Sequence, residues 1–383
     1  GQSQVLAYQR RLADQFRVHI LSYERPEDLS RKKDVAELDA SLRDSRISWH
    51  RLTYHGRPTP LTKPFDISAG VALGAFLAKR DNLTLVHARS YVPGAIARSL
   101  QLLCGTKFIF DIRGFWADER VDGGIWPADG VLYRTAKRIE KSCLQNTDHL
   151  VSLTHAGIRS LRDFDAYANR SLPPFSVIPT CADLNVFSPV DRRESTGGLR
   201  IAYVGSVGTW YRFDRVAAAF ASVLRARPDA RFLVLNKSQH EHIHRELATA
   251  GIPPSRVEVR AVAHTQMGNA LADVDLGVFF YKSSFSRAAC SPTKLGEMLG
   301  CGIPCLTNGG VGDVESIVNK DRVGVVVDDL EDAAIDRGVE EALALLGPAT
   351  SKRCRQSAER HFSLDAGVEG YRRIYESLSD ANR

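Results

Sequence analysis

The chain has 383 residues, more than twice the usual size of a single domain, so we predict two domains with separate hydrophobic cores. Its 44% hydrophobic and 25% charged residues are typical of a globular protein, and the absence of an apolar run of roughly eighteen residues argues against a transmembrane helix. The formal net charge is +6, but the lack of a basic tail, of zinc-finger spacing and of a basic stripe with interleaved aromatics argues against nucleic acid as a partner.

The positive charge is concentrated in the first half of the chain. Residues 1–190 contain 26 Lys and Arg against 20 Asp and Glu, whereas the remaining residues contain 25 of each. A basic N-terminal half suits an anionic acceptor or an anionic membrane surface, and a solvated face with no partner is the alternative. The seven cysteines form no C-x-x-C pair and no signal peptide follows Gly1, so we expect a cytoplasmic protein, peripheral at the inner face of the membrane if its charge serves one.

The first half of the chain alternates helices and strands, beginning with a helix within residues 1–17. This alternation predicts a parallel sheet covered on both faces, whose ligands bind beyond the carboxyl ends of the strands. The predicted strands are Val18–Leu21, Ile47–Tyr54, Leu83–His87, Lys107–Phe110, Asp148–Ser152 and Phe175–Ile178. The predicted helices are Arg31–Arg46, Ser68–Arg80, Pro93–Cys104, Val131–Leu144 and Thr154–Phe164.

A highly charged segment, residues 111–124, follows the fourth of these strands. It contains four acids, two arginines and a Gly-Gly pair, and its length suits a loop at the edge of a cleft. Asp111 and Arg113 come first in it, and Asp118 and Glu119 follow. These side chains are candidates for contact with a ligand, and the alternative is that Asp111 and Arg113 pair with each other and fix the loop.

The second half restarts after a polar linker, Asp191–Gly198, with a strand over Leu199–Val204. The turn that follows contains Gly205 and Gly208 and precedes a helix, and such glycines let backbone N–H groups approach a diphosphate. Further strands are predicted at Arg231–Leu235, Val257–Val262, Leu276–Tyr281, Pro304–Thr307 and Val323–Val327. Further helices are predicted at Phe213–Ala226, Met267–Leu271, Asp332–Leu346, Lys352–Glu359 and within 362–377.

One pattern in this half imitates a metal site. The run His240–His244 matches H-E-x-x-H, a zinc-binding pattern. Its neighbours are polar and predict an exposed helix, and no third ligand presents itself in the expected setting. We therefore expect no metal there.

The segment Arg287–Asp313 predicts a binding loop, a helix, a strand and a second loop. Ser291 can cap the helix, the residue after it is a proline suited to a first helical position, and Lys294 lies in the first turn. Unpaired N–H groups and a lysine at a helix start form an anion site, so we predict that a phosphate binds here. Glu297 follows one turn later and can face the same cleft.

Two motifs resemble those of a known family. The pattern K-x-x-E-x-x-x-x-G-x-P from Lys294 to Pro304, with the Gly-rich turn after it, resembles the nucleotide-sugar site of GT-B glycosyltransferases, most closely the retaining family 4 enzymes of polysaccharide and glycolipid biosynthesis. The pattern I-P-x-x-x-D-x-x-x-F-x-P at 178–189 resembles the hinge between their two domains.

The resemblance implies an α/β protein of GT-B fold, with two doubly wound, Rossmann-like domains that face a cleft. It places an acceptor-binding domain at 1–185, a nucleotide-sugar-binding domain at 186–361 and a helix that crosses back to the first domain at 362–383. In these relatives a strand comes first, so the resemblance also implies a missing strand upstream and a loop at Gly1–Gln4 that faces the cleft.

The resemblance implies a sugar transfer from a nucleotide-diphosphate sugar to a saccharide or lipid-linked hydroxyl, with no cofactor and no metal. Asp111 is then the first candidate for the acceptor-side base, and Arg113 and Lys294 are the other catalytic candidates. Glu297 would accept hydrogen bonds from the ribose hydroxyls. The predicted phosphate-binding residues are Gly205, Ser206, Ser291, Thr293 and Lys294.

The chain departs from the family at three motif positions. Ala289 stands where the relatives carry the first of two glutamates, and Ser206 and Tyr211 stand where they carry an Arg and a Lys that neutralise the leaving diphosphate. Retention or inversion at the sugar therefore stays open. The basic residues that could substitute are Arg212, Lys237, Lys282, Arg287 and Lys294.

Three other functions are alternatives. A nucleotide-sugar epimerase of the same architecture would act on the donor without an acceptor. A non-catalytic GT-B partner subunit would explain the missing motif residues. An NAD-dependent oxidoreductase is the weakest alternative, because no G-x-G-x-x-G opens a helix after a strand.

Overall fold

The computed structural model describes residues 2–56, 62–164, 166–167, 170–189 and 198–380. The predicted linker lies outside this part of the chain, except for Gly198. The strands are β1 Val18–Glu24, β2 Ile47–Thr53, β3 Leu85–Arg89, β4 Lys107–Asp111, β5 His149–Ser152, β6 Phe175–Val177, β7 Arg200–Val204, β8 Arg231–Leu235, β9 Val257–Arg260, β10 Leu276–Val278, β11 Cys305–Asn308 and β12 Gly324–Val327.

Helices fill most of the connections between the strands, and none of the described ones is long and apolar enough to cross a bilayer. The helices are α1 Ala7–Leu12, α2 Pro26–Ser30, α3 Lys32–Asp44, α4 Thr62–Asp81, α5 Tyr91–Cys104, α6 Trp116–Asp122, α7 Val131–Asn146, α8 His155–Leu161, α9 Phe213–Ala226, α10 His240–Thr249, α11 Met267–Leu271, α12 Thr293–Gly300, α13 Val314–Asp321, α14 Asp332–Ala344, α15 Pro348–His361 and α16 Leu364–Asp380.

The strands form parallel sheets in two Rossmann-like domains. The N-terminal domain contains the pair β1-β2 and the four-stranded sheet β3-β4-β5-β6, and the C-terminal domain contains the six-stranded sheet β12-β11-β10-β7-β8-β9. In the six-stranded sheet the strand order reverses between β7 and β10. Ligands of open α/β sheets bind in the crevice at such a point. The predicted α/β class and doubly wound architecture are confirmed.

The C-terminal domain has a continuous apolar core because helices cover both faces of its sheet. Helix α9 buries Phe213, Val216, Phe220 and Val223, which recur at the spacing of one helical face. Phe220 stacks on Phe232 of β8 at a centroid distance of 4.2 Å. Burial of each such side chain stabilises the domain by about 1.5–3 kcal/mol.

Helix α16 belongs to the N-terminal domain, as the resemblance implies. Its Val368, Tyr371 and Ile374 lie in one apolar cluster with Ile109 of β4 and Val151 of β5. The boundaries predicted at 185 and 361 stay a prediction.

The chain crosses between the domains at two neighbouring places. The Ala182 N–H donates to the carbonyl of Phe362 at 2.8 Å, and the Leu364 N–H donates to the carbonyl of Ala182 at 3.1 Å. Phe187, in the hinge motif, is fully buried in the core of the C-terminal domain. The two crossings therefore form one hinge that is held by backbone hydrogen bonds.

Two local predictions are wrong, and helix α13 was not predicted. The segment predicted as a cleft loop contains helix α6, whose first turn carries Asp118 and Glu119, and acids at that end of a helix are favoured by its dipole. Gln2–Leu6 forms a π-helical turn rather than a loop. Helix α13, Val314–Asp321, has no counterpart among the predicted elements, because its apolar stripe is short.

Candidate active site

The glycine turn after β7 is fixed by side chains from the end of β8. Gly205 and Gly208 have φ values of 123° and 92°, which favour glycine. Asn236 Nδ2 donates to the Gly205 carbonyl at 2.8 Å, and Gln239 Oε1 accepts from the Val207 N–H at 3.0 Å. A Cβ atom at Gly205 would lie 3.0 Å from the Lys294 ammonium, so glycine also allows that close approach.

The Lys294 ammonium is enclosed by four aromatic rings, here called the aromatic box. Nζ lies 4.4 Å from the ring centroid of Tyr211, 4.5 Å from that of Tyr203, and 5.6 Å from those of Phe279 and Tyr281. Ring faces attract a cation, but within the described residues this buried Nζ has no hydrogen-bond partner. Burial lowers the pKa of Lys294 to about 7. A buried cation without a hydrogen-bond partner is costly, so an anion that contacts the Lys294 ammonium would stabilise it.

The start of α12 lies beside the box, but Ser291 does not cap it. The helix begins at Thr293, and Pro292 occupies the N-cap position. The Ser291 hydroxyl instead accepts from the Thr180 N–H at 3.2 Å, and Thr180 Oγ1 donates to the Ser291 carbonyl at 2.7 Å. The capping prediction is wrong because a residue before proline is kept extended, and the hinge offers Ser291 a buried partner. Helix geometry still leaves the first N–H groups of α12 open to an anion.

Glu297 faces the site one turn after Lys294. It is buried, and its Oε1 lies 3.4 Å from Nε2 of His264, which is half exposed. The hydrogen bond to Glu297 raises the pKa of His264, although burial opposes it. Among the described residues, Glu297 thus pairs with a side chain that is open to solvent, and its predicted contact with a ribose stays a prediction.

On the acceptor side, Asp111 is fully buried at the end of β4. Its Oδ2 accepts from the Tyr371 hydroxyl at 3.0 Å and lies 3.1 Å from Arg89 Nε, so its partner is Arg89 and not Arg113. Burial favours a raised pKa for Asp111, but the His87 imidazole, whose Nε2 lies 3.7 Å from Oδ2, and the charges of Arg89 and Arg113 outweigh it and hold that pKa below its usual value. Asp111 therefore joins α16 to the sheet, and its role as a base stays a prediction.

Arg113 lies in a strained turn at the same edge. Its φ is 61°, in the left-handed region, and Gly114 follows with a φ of 143°. Such a backbone at a non-glycine residue costs about 1–3 kcal/mol and is frequent at functional sites. The Arg113 side chain forms no hydrogen bond or ion pair with the part of the chain that the structure describes, so it is free to contact a ligand.

Asp118 and Glu119 are neighbours on α6 but have different partners. Asp118 accepts from the Tyr133 hydroxyl at 2.9 Å and from Lys137 Nζ at 3.0 Å, and so holds α6 against α7. Glu119 Oε1 instead lies 2.9 Å from Arg287 Nη2 in the other domain. Of these two acids, only Glu119 is paired across the cleft.

Arg287 and Lys294 are the substitute cations that the structure brings to the cleft. Burial raises the pKa of the Cys290 thiol, and the charges of Arg287, Lys294 and Arg113 oppose this rise. Arg212 is engaged with Asp214 at 2.7 Å, and Lys282 Nζ donates to the Asp122 carbonyl at 3.4 Å. Lys237 is exposed, and of the divergent positions Tyr211 is part of the aromatic box.

The H-E-x-x-H run lies on α10, and two of its histidines contact neighbouring groups of the protein. His240 Nε2 lies 2.8 Å from the Asn236 carbonyl, and His242 lies 3.9 Å from Glu246 of the same helix. Within the described ranges, no group of three or more His, Cys, Asp or Glu side chains is placed to hold a metal ion.

The aromatic walls of the site were not predicted from the sequence. Tyr203 and Phe279 lie in apolar strands and have the pattern of ordinary core residues. Trp210, which lies under the Arg287 guanidinium at 4.7 Å, follows the glycine turn directly. The position of Trp210 directly after a predicted phosphate-binding turn is the signal that could have identified it as part of the site.

The fold and the cleft define a class of protein. Two Rossmann-like domains, a site at the switch point of the second sheet and a last helix that returns to the first domain are the features of GT-B proteins. Residues 1–173 match the model of the glycosyl transferase 4-like domain family. No curated protein matches the chain.

Solved glycosyltransferase structures share the fold over nearly the whole chain. Sucrose-phosphate synthase from Thermosynechococcus elongatus has 16% identity and a TM-score of 0.73, and the match covers 98% of this chain and 92% of that one. HepE from Anabaena, solved with UDP-glucose, has 12% identity, a TM-score of 0.65 and coverages of 90% and 89%. WaaG, a glycosyltransferase of lipopolysaccharide biosynthesis, has 16% identity, a TM-score of 0.64 and coverages of 93% and 99%. The resemblance to GT-B glycosyltransferases is confirmed.

Proposed function

We propose that this protein transfers a sugar from a nucleotide-diphosphate donor to a hydroxyl group of a saccharide or lipid-linked acceptor, in surface polysaccharide or glycolipid biosynthesis. One observation carries the proposal. The Lys294 ammonium is buried without a hydrogen-bond partner in the described chain, beside the Gly205 turn and the start of α12. An anion with two adjacent phosphates complements a cation, a glycine turn and a helix start better than any neutral ligand does.

The donor is held by the C-terminal domain in this proposal. Lys294 and the N–H groups near Ser291 and Thr293 bind phosphate, and Gly205 and Ser206 line the diphosphate from the other side. HepE, which shares the fold, was solved with UDP-glucose. This supports a nucleotide-diphosphate sugar as the class of donor.

The chemical step in this proposal is the departure of the nucleoside diphosphate from the sugar. Negative charge grows on the leaving phosphate, and fixed cations and N–H dipoles stabilise it most in a dry site. Lys294 and Arg287 supply these cations and the start of α12 supplies the dipoles, so we propose catalysis without a metal or cofactor. We propose retention of configuration on the resemblance alone.

The acceptor is held by the N-terminal domain in this proposal. Arg113 has a free guanidinium at the carboxyl edge of the first sheet and is suited to an anionic acceptor. Asp111 remains our candidate for the base that receives the hydroxyl proton. For that role the Tyr371 side chain must move aside, because the carboxylate is fully buried.

A lipid-linked acceptor would bring the protein to a membrane surface. Val131 and Leu132 begin α7 with 69% and 61% of their surfaces exposed. The exposed Arg134, Arg138 and Lys141 follow along the same helix. Exposed apolar side chains beside a basic stripe suit an interfacial helix on anionic lipid. This supports a peripheral position at the inner face of the membrane.

Replacement of Glu297 tests the donor site. Screening UDP, GDP, ADP and CDP by thermal shift identifies the nucleotide, because a ligand selective for the folded state raises its melting temperature. Glu297→Ala should weaken binding of that nucleotide by about 1.5–3 kcal/mol for each charged hydrogen bond to the ribose. Folding should be spared because the partner of Glu297, His264, is open to solvent. Glu341→Ala, an exposed change on α14, is the matched control.

The results separate the alternatives. Unchanged nucleotide affinity in Glu297→Ala would remove the ribose contact, and no affinity in the parent protein would remove the donor site. Isomerised donor sugar without any acceptor would favour the epimerase. Nucleotide binding with neither transfer nor isomerisation would favour a non-catalytic subunit.

A further inference from the structure

A buried arginine and a carboxylate meet across the cleft. Arg287 is only 5% exposed and comes from the C-terminal domain, and Glu119 comes from α6 of the N-terminal domain. Arg287 Nη2 lies 2.9 Å from Glu119 Oε1, and the Glu119 side chain is 29% exposed. Burial raises the pKa of Glu119 although Arg287 opposes that rise, so the carboxylate occupies a site where its charge is poorly solvated.

The Arg287 guanidinium is fixed but keeps unused donors. Its plane lies over Trp210 at 4.7 Å, which holds the cation by its face. Its Nε and Nη2 are buried and form no hydrogen bond within the described ranges, so the approach of Glu119 is an ion pair without hydrogen-bond alignment. A guanidinium edge with free donors matches the paired oxygens of a phosphate.

We infer that Glu119 is an internal stand-in for the donor diphosphate: it occupies Arg287 in the donor-free protein and is displaced when the diphosphate takes the guanidinium. This rests on the proposed function, because it places the diphosphate between Lys294 and Arg287. A partly exposed ion pair contributes little net free energy, so a doubly charged ligand that also engages Lys294 wins the exchange. Displacement also breaks one link between α6 and the C-terminal domain.

The test is a double-mutant cycle with UDP and inorganic pyrophosphate as probes, measured by calorimetry on the full chain. Removing an internal competitor should tighten binding, so Glu119→Gln should bind both probes roughly fivefold more tightly, the equivalent of a partly exposed ion pair. In an Arg287→Met background the same change should have no effect, because the contested cation is absent. Asp129→Asn removes one charge from the exposed segment after α6 and should leave the affinity unchanged.

Each result decides between exchange and a permanent ion pair. Equal or weaker binding by Glu119→Gln, in a variant that melts normally, would show a permanent pair and overturn the inference. A gain that persists in the Arg287→Met background would show general charge repulsion and overturn it as well. If Arg287→Met does not fold, Arg287→Lys, which keeps the charge but loses the fork, replaces it and should reduce the gain.

The inference and the proposed function fail in different ways. If UDP and pyrophosphate do not bind the parent protein, both are wrong. If they bind with the expected coupling but no sugar is transferred, the proposed activity is wrong and the exchange at Arg287 stands.

Discussion

The surroundings of Lys294 decide when the site carries its charge. Four rings and burial remove water from the ammonium, and the chain offers it no hydrogen bond within the described residues. Because burial lowers the pKa of Lys294 to about 7, the free site is largely neutral above that pH. A diphosphate supplies the missing counter-ion and restores a raised pKa.

We therefore predict that nucleotide binding takes up a proton above pH 7. The donor-free pKa of Lys294 is about 7 and the bound pKa is higher, so affinity should be greatest below pH 7 and fall as pH rises, by up to about tenfold per pH unit. Above pH 7 the nucleotide adds little to this dependence, since a terminal phosphate with a pKa of about 6 is already ionised there. Calorimetry in buffers of different ionisation enthalpy measures the uptake directly.

Lys294→Arg is the control for this prediction, since an arginine stays charged throughout the range. Glu297 raises the pKa of His264, so a pH dependence of the affinity that remains in Lys294→Arg is assigned to His264. An identical pH dependence in both proteins would show that Lys294 is charged in the free site.

At the scale of the element, Asp111 anchors α16 to the sheet of the N-terminal domain. Asn in place of Asp111 keeps the shape of the side chain and removes its charge. The structure indicates that this replacement also lowers the free energy of unfolding, because Arg89 would lose its buried carboxylate partner.

We predict that Asp111→Asn lowers the free energy of unfolding by about 3–5 kcal/mol, the usual cost of breaking a buried ion pair. Tyr371→Phe removes one hydrogen bond to the same carboxylate and should cost about 1.5–3 kcal/mol. Asp365→Asn makes the same chemical change at an exposed site of α16 and should have little effect. Chemical denaturation measures all three, and nucleotide binding should survive in each, because Lys294 lies in the other domain. Wild-type stability in Asp111→Asn would contradict the role of Asp111 as an anchor of α16.

How far the elements could be predicted depends on what determines each one. Strand β8 and helix α9 have the predicted bounds, because an apolar run and an apolar face are properties of the local sequence. Helix α6 was not predictable, since its acids suggest a loop and its direction depends on Tyr133 and Lys137 of α7. The hydrogen bond that the Ser291 hydroxyl forms likewise depends on Thr180, which is 111 residues away in sequence. The residues proposed to bind phosphate could be predicted from the sequence. The rings and carboxylates that surround them could not, because their positions depend on tertiary contacts.

At the scale of the whole molecule, the positive charge is polarised between the domains. Residues 1–190 contain 26 basic and 20 acidic residues, whereas the remaining residues contain equal numbers of the two. The exposed apolar side chains at the start of α7 lie in the same domain. If a membrane supplies the acceptor, this domain should meet it.

We predict that the protein sediments with vesicles that contain anionic lipid, and that the bound fraction rises with anionic lipid and falls with salt, because salt screens surface charge. Val131→Ser with Leu132→Ser should reduce binding by removing exposed apolar surface at the interface. Val186→Ser, at a 40% exposed valine in the hinge segment, is the matched control. Vesicle binding that depends on neither lipid charge nor salt would exclude the electrostatic membrane contact and favour a soluble acceptor.

The return of α16 to the first domain has a consequence for how the protein is made. The N-terminal domain consists of two pieces of the chain, and the whole C-terminal domain is synthesised between them. While the ribosome translates that middle part, Ile109 and Val151 lack the side chains of α16 that cover them in the finished protein. Domains generally fold as units during synthesis, with the first one leading. Here the domain that is begun first can be completed only after the second one has been synthesised.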